Sequence, residues 1–274
     1  MPDTEAGALG YPRIHLRRTD STNERARRLA IAGAPHGTVV TAEEQSAGRG
    51  RQGRSWSAPP RSALLCSLVV RDPNPLLSLI AGVAVCDIVG DQARVKWPND
   101  VVIERGGADS AANTGGRTPG RVQAEKAEQP NLGKLAGILV EGRPQESWAV
   151  LGIGLNVAVR VEQLPAELLG RAASLELEAG AIETTFERLI EALETRLAEP
   201  IDATLDAWRA RDALYGRDIA WGGYDPQGQS EHGSNNGERG RAEGIDDKGQ
   251  LLVRREDGGT TALSAGEVHL ESVG

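Results

Sequence analysis

The most informative stretch of this sequence is EQSAGRGRQGRSW, residues 44–56. Glycines and arginines alternate in it before a tryptophan: Gly48, Arg49, Gly50, Arg51, Gly53, Arg54 and Trp56. Glycine lets the backbone adopt positive φ and approach a ligand closely. Successive backbone N–H groups in such a turn form a concave anion site, and arginine binds phosphate or carboxylate through paired hydrogen bonds. The stretch is therefore predicted to bind an anion; a hairpin with solvated arginines is the structural alternative.

The residues on either side of this stretch decide how it is used. Its spacing Gly48-x-Gly50-x-x-Gly53 also fits the dinucleotide fingerprint, which needs a strand before it and a helix after it. Residues 38–42 do predict a strand, but Pro59 and Pro60 prevent a continuing helix. Residues 63–70, ALLCSLVV, then predict a buried strand. The stretch is thus expected to join two strands, and dinucleotide binding is not expected.

The composition limits the class of protein. A chain of 274 residues has room for one large domain and a small one. Its net charge of −8 argues against a nucleic-acid-binding surface, which needs a basic face. Cys66 and Cys86 lie in apolar runs without metal-ligand or redox spacing, as expected of buried thiols in a reducing compartment. With neither a spanning apolar run nor a signal peptide, a soluble cytoplasmic protein is expected.

Capping patterns predict the helices. Ser21 and Glu24 form a capping box before a helix that ends near Gly33. The small polar side chains at its start are also suited to hydrogen-bond a neutral ligand. Asn74-Pro75 predicts the start of a second helix. The stretch Thr184–Glu187 predicts another capping box, followed by an apolar stripe typical of a core-facing helix.

Changes in residue composition and in the pattern of strands and turns predict how the chain is divided into domains. Residues 1–13 are expected to be a flexible leader, 14–212 the main domain, and 213–274 a small barrel-like domain of short strands. Two polar, glycine-rich insertions, 105–132 and 225–239, are expected to be disordered. Because strands and helices do not alternate regularly, the main domain is predicted to be α+β with a mixed or largely antiparallel sheet.

Two charged residues lie at strand ends. Asp100 follows Pro98 and Asn99, so it lies either in a simple turn or at a strand end that faces a pocket. Lys134 begins a predicted strand, and the sequence around it lacks the remaining residues of a Walker loop. Lys134 becomes important only if it points toward the arginines.

Five motifs together resemble the biotin protein ligase family, the biotin–[acetyl-CoA carboxylase] ligases. They are DSTN (20–23), the stretch 45–56, KWPND (96–100), GKLAGILVE (133–141) and GIGLN (152–156). The resemblance implies an α+β catalytic domain related to class II aminoacyl-tRNA synthetases, followed by an SH3-like domain. It also implies a reaction that joins biotin and Mg-ATP into biotinyl-5′-adenylate and then passes biotin to a lysine of a biotin carboxyl carrier protein.

The same resemblance implies the site residues. Those for biotin are Ser21, Thr22, Asn23, Gln45, Gly48, Arg49, Gly50, Arg51, Lys134 and Gly137. Those for ATP and the adenylate are Arg49, Arg51, Arg54, Trp56, Lys134 and Asn156. The catalytic residues are expected to be Lys134, Arg51 and Asp100, with Asp100 either deprotonating the incoming lysine or contacting Mg²⁺. No metal site of the protein's own is expected.

Two other functions stay open. A lipoate–protein ligase would share the fold class, and a biotin-sensing protein would hold the adenylate without transferring it. The arginine–glycine loop and the small C-terminal barrel favour biotin over lipoate, and the presence of Lys134 and Asp100 favours a ligase. Some family members carry an N-terminal helix-turn-helix, but only about eighteen residues precede the first motif, so DNA binding is not expected.

Overall fold

The computed structural model describes residues 8–105, 131–143, 146–222, 237–264, 266 and 268–270. Within these residues the chain forms two sheets, one of seven strands and one of five. Of the expected insertions, 105–132 and 225–239, only residues 105, 131–132 and 237–239 are described, and all of these but residue 237 belong to strands. None of the described helices is both long and apolar enough to cross a membrane.

The larger sheet has the order β1-β2-β3-β7-β6-β5-β4. Its strands are β1 (Arg13–Leu16), β2 (Val39–Ala42), β3 (Ala63–Arg71), β4 (Ala93–Lys96), β5 (Asp100–Arg105), β6 (Asn131–Arg143) and β7 (Trp148–Asn156). Strands β1 and β2 are parallel, and every other neighbouring pair is antiparallel. The mixed sheet predicted from the sequence is confirmed, and residues 44–56 do join two strands, β2 and β3.

In the described part of the chain, four α-helices cover this sheet: α1 (Thr22–Ile31), α2 (Leu77–Val89), α3 (Ala181–Ala198) and α4 (Ile201–Arg209). Helix α1 packs on one face, where Ala26 and Ala30 meet Val40 and Val69. The opposite face meets the apolar helix α2, with α3 and α4 behind it. Because both faces are covered, the central strands have continuous apolar runs rather than alternating ones.

The second sheet lies in the C-terminal part and has the order β11-β10-β9-β8-β12. Its strands are β8 (Asp218–Trp221), β9 (Glu238–Ile245), β10 (Leu251–Arg255), β11 (Thr260–Leu263) and β12 (Val268–Leu270). All neighbouring pairs are antiparallel. The turn between β9 and β10 contacts the main domain, where Trp97 Nε1 donates to the Gly249 carbonyl at 3.0 Å.

Two helix starts were predicted wrongly. Helix α2 begins at Leu77 rather than at Pro75, because Asn74 Oδ1 accepts from the Leu76 N–H at 2.8 Å in a turn before the helix. Helix α3 begins at Ala181, so the expected capping box at Thr184–Glu187 lies inside it. The apolar stripe of α3 is confirmed, since Phe186, Leu189 and Leu193 are buried.

The N-terminal part of the main domain begins earlier than expected. Residues 8–13 were assigned to the leader, but the Gly10 N–H donates to the Gly37 carbonyl at 2.9 Å and Leu9 packs against the core. Arg13 begins β1 and pairs with Val39. The expected domain start at residue 14 therefore falls inside a strand. Strands β1 and β11 and helix α4 were not predicted.

Candidate active site

One cavity collects most of the predicted site residues. Its walls are the start of α1, the glycine–arginine loop (residues 48–56), the turn between β4 and β5, and strands β3, β6 and β7. The predicted residues that line it are Ser21, Thr22, Asn23, Gln45, Arg49, Gly50, Arg51, Arg54, Trp56, Asp100, Lys134 and Gly137. Side chains separated by more than one hundred positions in the sequence thus meet in one place.

The start of α1 forms the first wall. Ser21 is the N-cap, and its Oγ accepts from the Glu24 N–H at 3.5 Å. The expected capping box is only half formed, because Asp20 Oδ1, not Glu24, accepts from the Ser21 N–H. The Glu24 carboxylate instead pairs with Arg27 and Arg28 at 3.0 Å. The N-cap hydrogen bond is therefore formed within the protein itself, and the polar side chains at the helix start line the cavity.

A buried hydrogen-bond network, which we call the neutral network, joins Thr22, Asn23, Gln45 and Ser67. Gln45 Oε1 accepts from the Thr22 N–H at 2.7 Å and lies 3.0 Å from Thr22 Oγ1. Ser67 Oγ lies 2.8 Å from Thr22 Oγ1 and 2.6 Å from Asn23 Oδ1. Buried polar side chains need hydrogen-bond partners, and these side chains supply partners to one another. This wall is therefore held in one arrangement before any ligand arrives.

Glycine is required behind this network. A Cβ at Gly152 on β7 would lie 1.9 Å from Asn23 Oδ1. Any larger residue at position 152 would push the Asn23 amide out of its place. Position 152 belongs to the GIGLN motif, so the first glycine of that motif makes room for Asn23.

The glycine–arginine loop folds back on itself. The backbones of Arg49 and Ser55 form an isolated antiparallel β-bridge, and the Gly50 N–H donates to the Arg54 carbonyl at 2.7 Å. The Trp56 N–H donates to the Gly48 carbonyl at 2.9 Å. Gly48 does not line the cavity, but a Cβ there would lie 2.3 Å from the Trp56 carbonyl oxygen. Gly48 therefore shapes the loop, and the arginines are carried by a short hairpin.

Trp56 packs directly on the backbone of the sheet, at a place where two paired glycines leave no side chains. Gly137 on β6 and Gly154 on β7 are paired across the two strands. A Cβ at Gly154 would lie 2.5 Å from Trp56 Cε2, and one at Gly137 would lie 2.9 Å from Cζ3. The Lys134 ammonium is 5.7 Å from the centroid of the indole ring. These glycines thus let a flat group lie directly on the sheet beside a lysine.

The charged side of the cavity centres on Lys134 and Asp100. They lie on the neighbouring strands β6 and β5, and Lys134 Nζ is 2.7 Å from Asp100 Oδ1. Asp100 begins β5 directly after a turn, so both interpretations of its position hold: it follows a turn and it faces a pocket. Pro98 lies in that turn, between the end of β4 and the start of β5.

Arg51 is joined to the same region through Asn99. Arg51 Nη1 donates to Asn99 Oδ1 at 3.2 Å, and Asn99 Nδ2 donates to the Ile138 carbonyl at 2.7 Å. The turn that carries Asn99 is therefore fixed to β6 while its amide oxygen holds an arginine of the loop. Arg51 and Lys134 both line the cavity, as the sequence predicted.

Asn156 is not brought into the cavity. It is buried at the end of β7, and its Nδ2 donates to the Ala173 carbonyl at 2.8 Å. The geometry therefore shows a structural contact where the sequence predicted an adenylate contact.

Three residues that contact the cavity's side chains were not singled out from the sequence: Asn99, Ser67 and Glu141. Asn99 and Glu141 stood within the quoted motifs, and Ser67 was the one hydroxyl in a buried apolar run.

Cys66 lines the cavity but is not suited to act as a nucleophile. Burial raises the pKa of its thiol to about 12. A thiol with so high a pKa stays protonated at neutral pH, and the thiolate is the reactive form. In the described parts of the chain there is also no group of three or more His, Cys, Asp or Glu side chains arranged to hold a metal ion.

Comparison with known proteins identifies the family. The profile of the Biotin/lipoate A/B protein ligase family matches residues 15–157, more than half of the chain. The chain belongs to the biotin/lipoate A/B protein ligase family. The profile of the biotin protein ligase C terminal domain matches residues 235–270, which include β9 to β12.

Individual members of the biotin/lipoate ligase family are similar over most of the chain. The biotin–[acetyl-CoA-carboxylase] ligase of Mycobacterium tuberculosis is 34% identical over 91% of this chain and 85% of its own length. The ligase of the same name from Paracoccus denitrificans is 31% identical over 92% of this chain and 98% of its own length. The biotin protein ligase from Aquifex aeolicus, solved in complex with biotin and ATP, has the same fold: a TM-score of 0.67 at 22% identity, covering 95% of this chain and 99% of that one.

Proposed function

We propose that this protein is an ATP-dependent ligase that activates biotin as biotinyl-5′-adenylate and transfers it to a lysine of a biotin carboxyl carrier protein. The observation that carries the proposal is the composition of the cavity described above. One end is the neutral network, and the other end carries Arg51 and Lys134. Biotin has the same division, with a neutral ureido head at one end and a carboxylate at the other.

In the first step a biotin carboxylate oxygen attacks the α-phosphorus of ATP. The new bond is C(=O)O–P, the bond from that phosphorus to the bridging oxygen breaks, and pyrophosphate leaves. Two anions must meet, so the site has to supply positive charge where charge develops. Lys134 holds the biotin carboxylate in this proposal, and Arg51 holds the α-phosphate. Arg49 and Arg54 add positive charge from the same loop, and Trp56 stands on the nucleotide side.

In the second step the amine of the carrier's lysine attacks the acyl carbon. The C–O bond to the phosphate breaks, AMP leaves, and the amine loses a proton. The carboxylate of Asp100 is the group in the cavity lining that can accept or orient that proton. Its contact of 2.7 Å to Lys134 gives it a second task, which is to hold Lys134 in place before the substrates bind.

Magnesium is expected to enter with ATP. Mg²⁺ usually keeps several waters and binds through substrate phosphates with one or two carboxylates. Asp100 is the single acidic side chain among the described residues that line the cavity, and it is paired with Lys134. These residues fit an ion brought by the nucleotide, which would offset the charge of its phosphates, better than an ion held by the protein.

We assign residues 8–212 to a catalytic domain related to class II aminoacyl-tRNA synthetases and residues 213–274 to an SH3-like domain. The mixed seven-stranded sheet and the antiparallel five-stranded sheet support this assignment. The cytoplasm is the expected compartment, since Cys66 and Cys86 are both buried and unpaired.

The alternatives are disfavoured by specific contacts. The dithiolane ring of lipoate has no hydrogen-bonding groups comparable to a ureido, so it would leave the neutral network without a polar partner. A protein that only senses biotin would not need Asp100 and Lys134 placed together at the reacting end of the ligand. The pyrophosphate-exchange experiment below distinguishes a lipoate ligase and a biotin sensor from a biotin ligase.

The test is biotin-dependent exchange of labelled pyrophosphate into ATP by the purified protein, followed by transfer of labelled biotin to a carrier domain. Exchange with biotin and not with lipoate, followed by labelling of the carrier lysine, is the expected result. Exchange with lipoate alone would overturn the choice of substrate. Tight biotin binding without exchange would indicate a sensor instead of a ligase.

A further inference from the structure

Glu141 touches two walls of the cavity without lining it. It lies on β6, opposite Val150 of β7, and its side chain is 25% exposed. Its Oε2 accepts from Asn23 Nδ2 at 3.0 Å, and its Oε1 is 2.8 Å from Arg49 Nη2. One carboxylate is thus shared between the neutral network and the glycine–arginine loop. We propose that Glu141 is a positioning residue that couples the binding of biotin's head to the position of the glycine–arginine loop, an inference that rests on the proposed function.

The contact to Asn23 fixes the direction of the neutral network. A carboxylate can only accept, so Asn23 must turn its NH₂ toward Glu141 and its oxygen toward Ser67. Ser67 then donates to Asn23 Oδ1 at 2.6 Å, and the Thr22 hydroxyl donates to Gln45 Oε1 at 3.0 Å. Gln45 Oε1 is already held by the Thr22 N–H, so the Gln45 NH₂ is left for other partners. The carboxylate therefore decides which donors and acceptors the network offers to a ligand.

The contact to Arg49 ties the loop to the sheet. Arg49 is 46% exposed, and its nearest other carboxylate is Glu24 at 3.6 Å, which already pairs with Arg27 and Arg28. Glu141 thus supplies the closest contact that holds Arg49 over the cavity. A guanidinium has five N–H donors, so Arg49 can keep Glu141 as a partner while it contacts a phosphate. Holding the Arg49 side chain in advance lowers the conformational entropy that is lost when a ligand binds to it.

The decisive variant is Glu141→Gln. Glutamine has the same shape but one oxygen instead of two, so it cannot accept from both Asn23 and Arg49. We expect about a tenfold rise in KM for biotin and about a tenfold faster release of biotinyl-adenylate, as for the loss of one charged hydrogen bond. The measurements are pyrophosphate exchange at varied biotin and the rate at which isolated enzyme–adenylate complex loses its label.

Glu43→Gln is the matched control. Glu43 also pairs with an arginine, Arg61, at 2.8 Å, its side chain is 27% exposed, and it does not line the cavity. Its substitution removes the same charge just after β2, which β3 and β7 separate from β6. We expect both readouts to equal those of the parent protein.

Repeating the substitution with Arg49→Ala already present separates the two contacts. Glu141→Gln should then no longer change adenylate release, because that effect acts through Arg49, while the rise in KM for biotin should remain. If Glu141→Gln behaves like Glu43→Gln in an active parent protein, the inference is wrong. A parent protein without biotin-dependent exchange would overturn the proposed function instead.

A charge-preserving variant covers the case in which Glu141→Gln does not fold. Glu141→Asp keeps both oxygens, but its shorter side chain cannot reach Asn23 and Arg49 together. It should therefore raise KM for biotin or speed adenylate release. A folded Glu141→Asp variant with both values unchanged would overturn the inference.

Discussion

The two ends of the cavity are built in different ways. At the neutral end, Thr22 and Asn23 are each 4% exposed and Ser67 is fully buried, and they hydrogen-bond to one another. At the charged end, the side chains of Lys134 and Arg49 are 39% and 46% exposed. The neutral end lies on a helix start and a central strand, whereas much of the charged end lies on a hairpin loop.

This difference separates binding from chemistry. The neutral network is ordered when the protein folds, so a ligand that fits it loses little additional entropy. The long charged side chains keep rotamer freedom that a bound anion must remove. Changes at the neutral end should therefore alter KM for biotin, and changes at the charged end should alter kcat. Four substitutions test that division.

The largest effect is expected from Lys134→Ala. In the proposed first step Lys134 contacts charge that develops in the transition state, and removing one such donor typically costs about 10²- to 10³-fold in kcat. The substitution also leaves Asp100 without its partner at 2.7 Å. Pyrophosphate exchange at saturating biotin measures the loss.

Lys248→Ala is the control for this change, since Lys248 is exposed in the turn between β9 and β10. We expect it to leave exchange unaltered. If Lys134→Ala instead kept full kcat and only raised KM for biotin, Lys134 would act like a residue of the neutral end. The proposed division, in which the neutral end governs KM and the charged end governs kcat, would then be wrong.

Arg51→Ala is expected to have the next largest effect, about 10- to 100-fold in the rate of adenylation, from the loss of a charged hydrogen bond to phosphate. Adenylate should also leak from the site, which gel filtration of the labelled complex measures. Arg61→Ala is the matched control, because Arg61 pairs with Glu43 outside the cavity. Equal adenylate retention in the two variants would show that the loop does not hold the phosphate.

Gly152→Ala tests the neutral end. The added Cβ would lie 1.9 Å from Asn23 Oδ1, so the amide must move. We expect KM for biotin to rise by about tenfold, as for one lost hydrogen bond to a buried polar group, with little change in kcat. Gly180→Ala is the control, since nothing lies within 4 Å of a Cβ built there. A lowered kcat with unchanged KM would contradict the division between the two ends.

The sequence predicted those features that depend on local chemistry. Glycines and prolines in residues 44–60 showed that the loop joins two strands, because their backbone limits act locally. The start of α3 was predicted wrongly because Thr184–Glu187 matches a capping pattern, while the helix begins at Ala181 with no side-chain cap. Strand β11 was missed because its four residues alternate between exposed and half-buried positions and form no apolar run.

Roles that depend on distant partners could not be predicted. Asn23 and Glu141 are 118 residues apart in the sequence, and only the packing of α1 on the sheet brings them within 3.0 Å. Ser67 lies in a run of apolar residues, so nothing local shows that its hydroxyl faces two side chains of α1. Asn156 lies within a motif, yet nothing local shows that its Nδ2 donates to the backbone carbonyl of Ala173.

The smallest effect on activity is expected from Asp212→Asn, at a buried carboxyl outside the cavity. Asp212 Oδ1 accepts from the Leu214 N–H at 2.8 Å, while its Oδ2 has no hydrogen-bond partner among the described residues. Burial raises the pKa of Asp212 from 3.8 to about 6. An acid whose pKa is higher in the folded state stabilises the fold below its unfolded pKa, and that contribution is lost as the pH rises through about 6.

Asparagine keeps the bond to Leu214 and removes the buried charge, so it should stabilise the protein at pH 7.5 by on the order of 1–3 kcal/mol. Melting temperatures between pH 4 and 8 should show a smaller decline for Asp212→Asn than for the parent, with Asp91→Asn, an exposed carboxyl, following the parent. Both KM for biotin and kcat should stay unchanged, because stability changes without either end of the cavity moving. A shift in one of them would show that the junction between the two sheets, where Asp212 pairs with Val95, controls that end of the site.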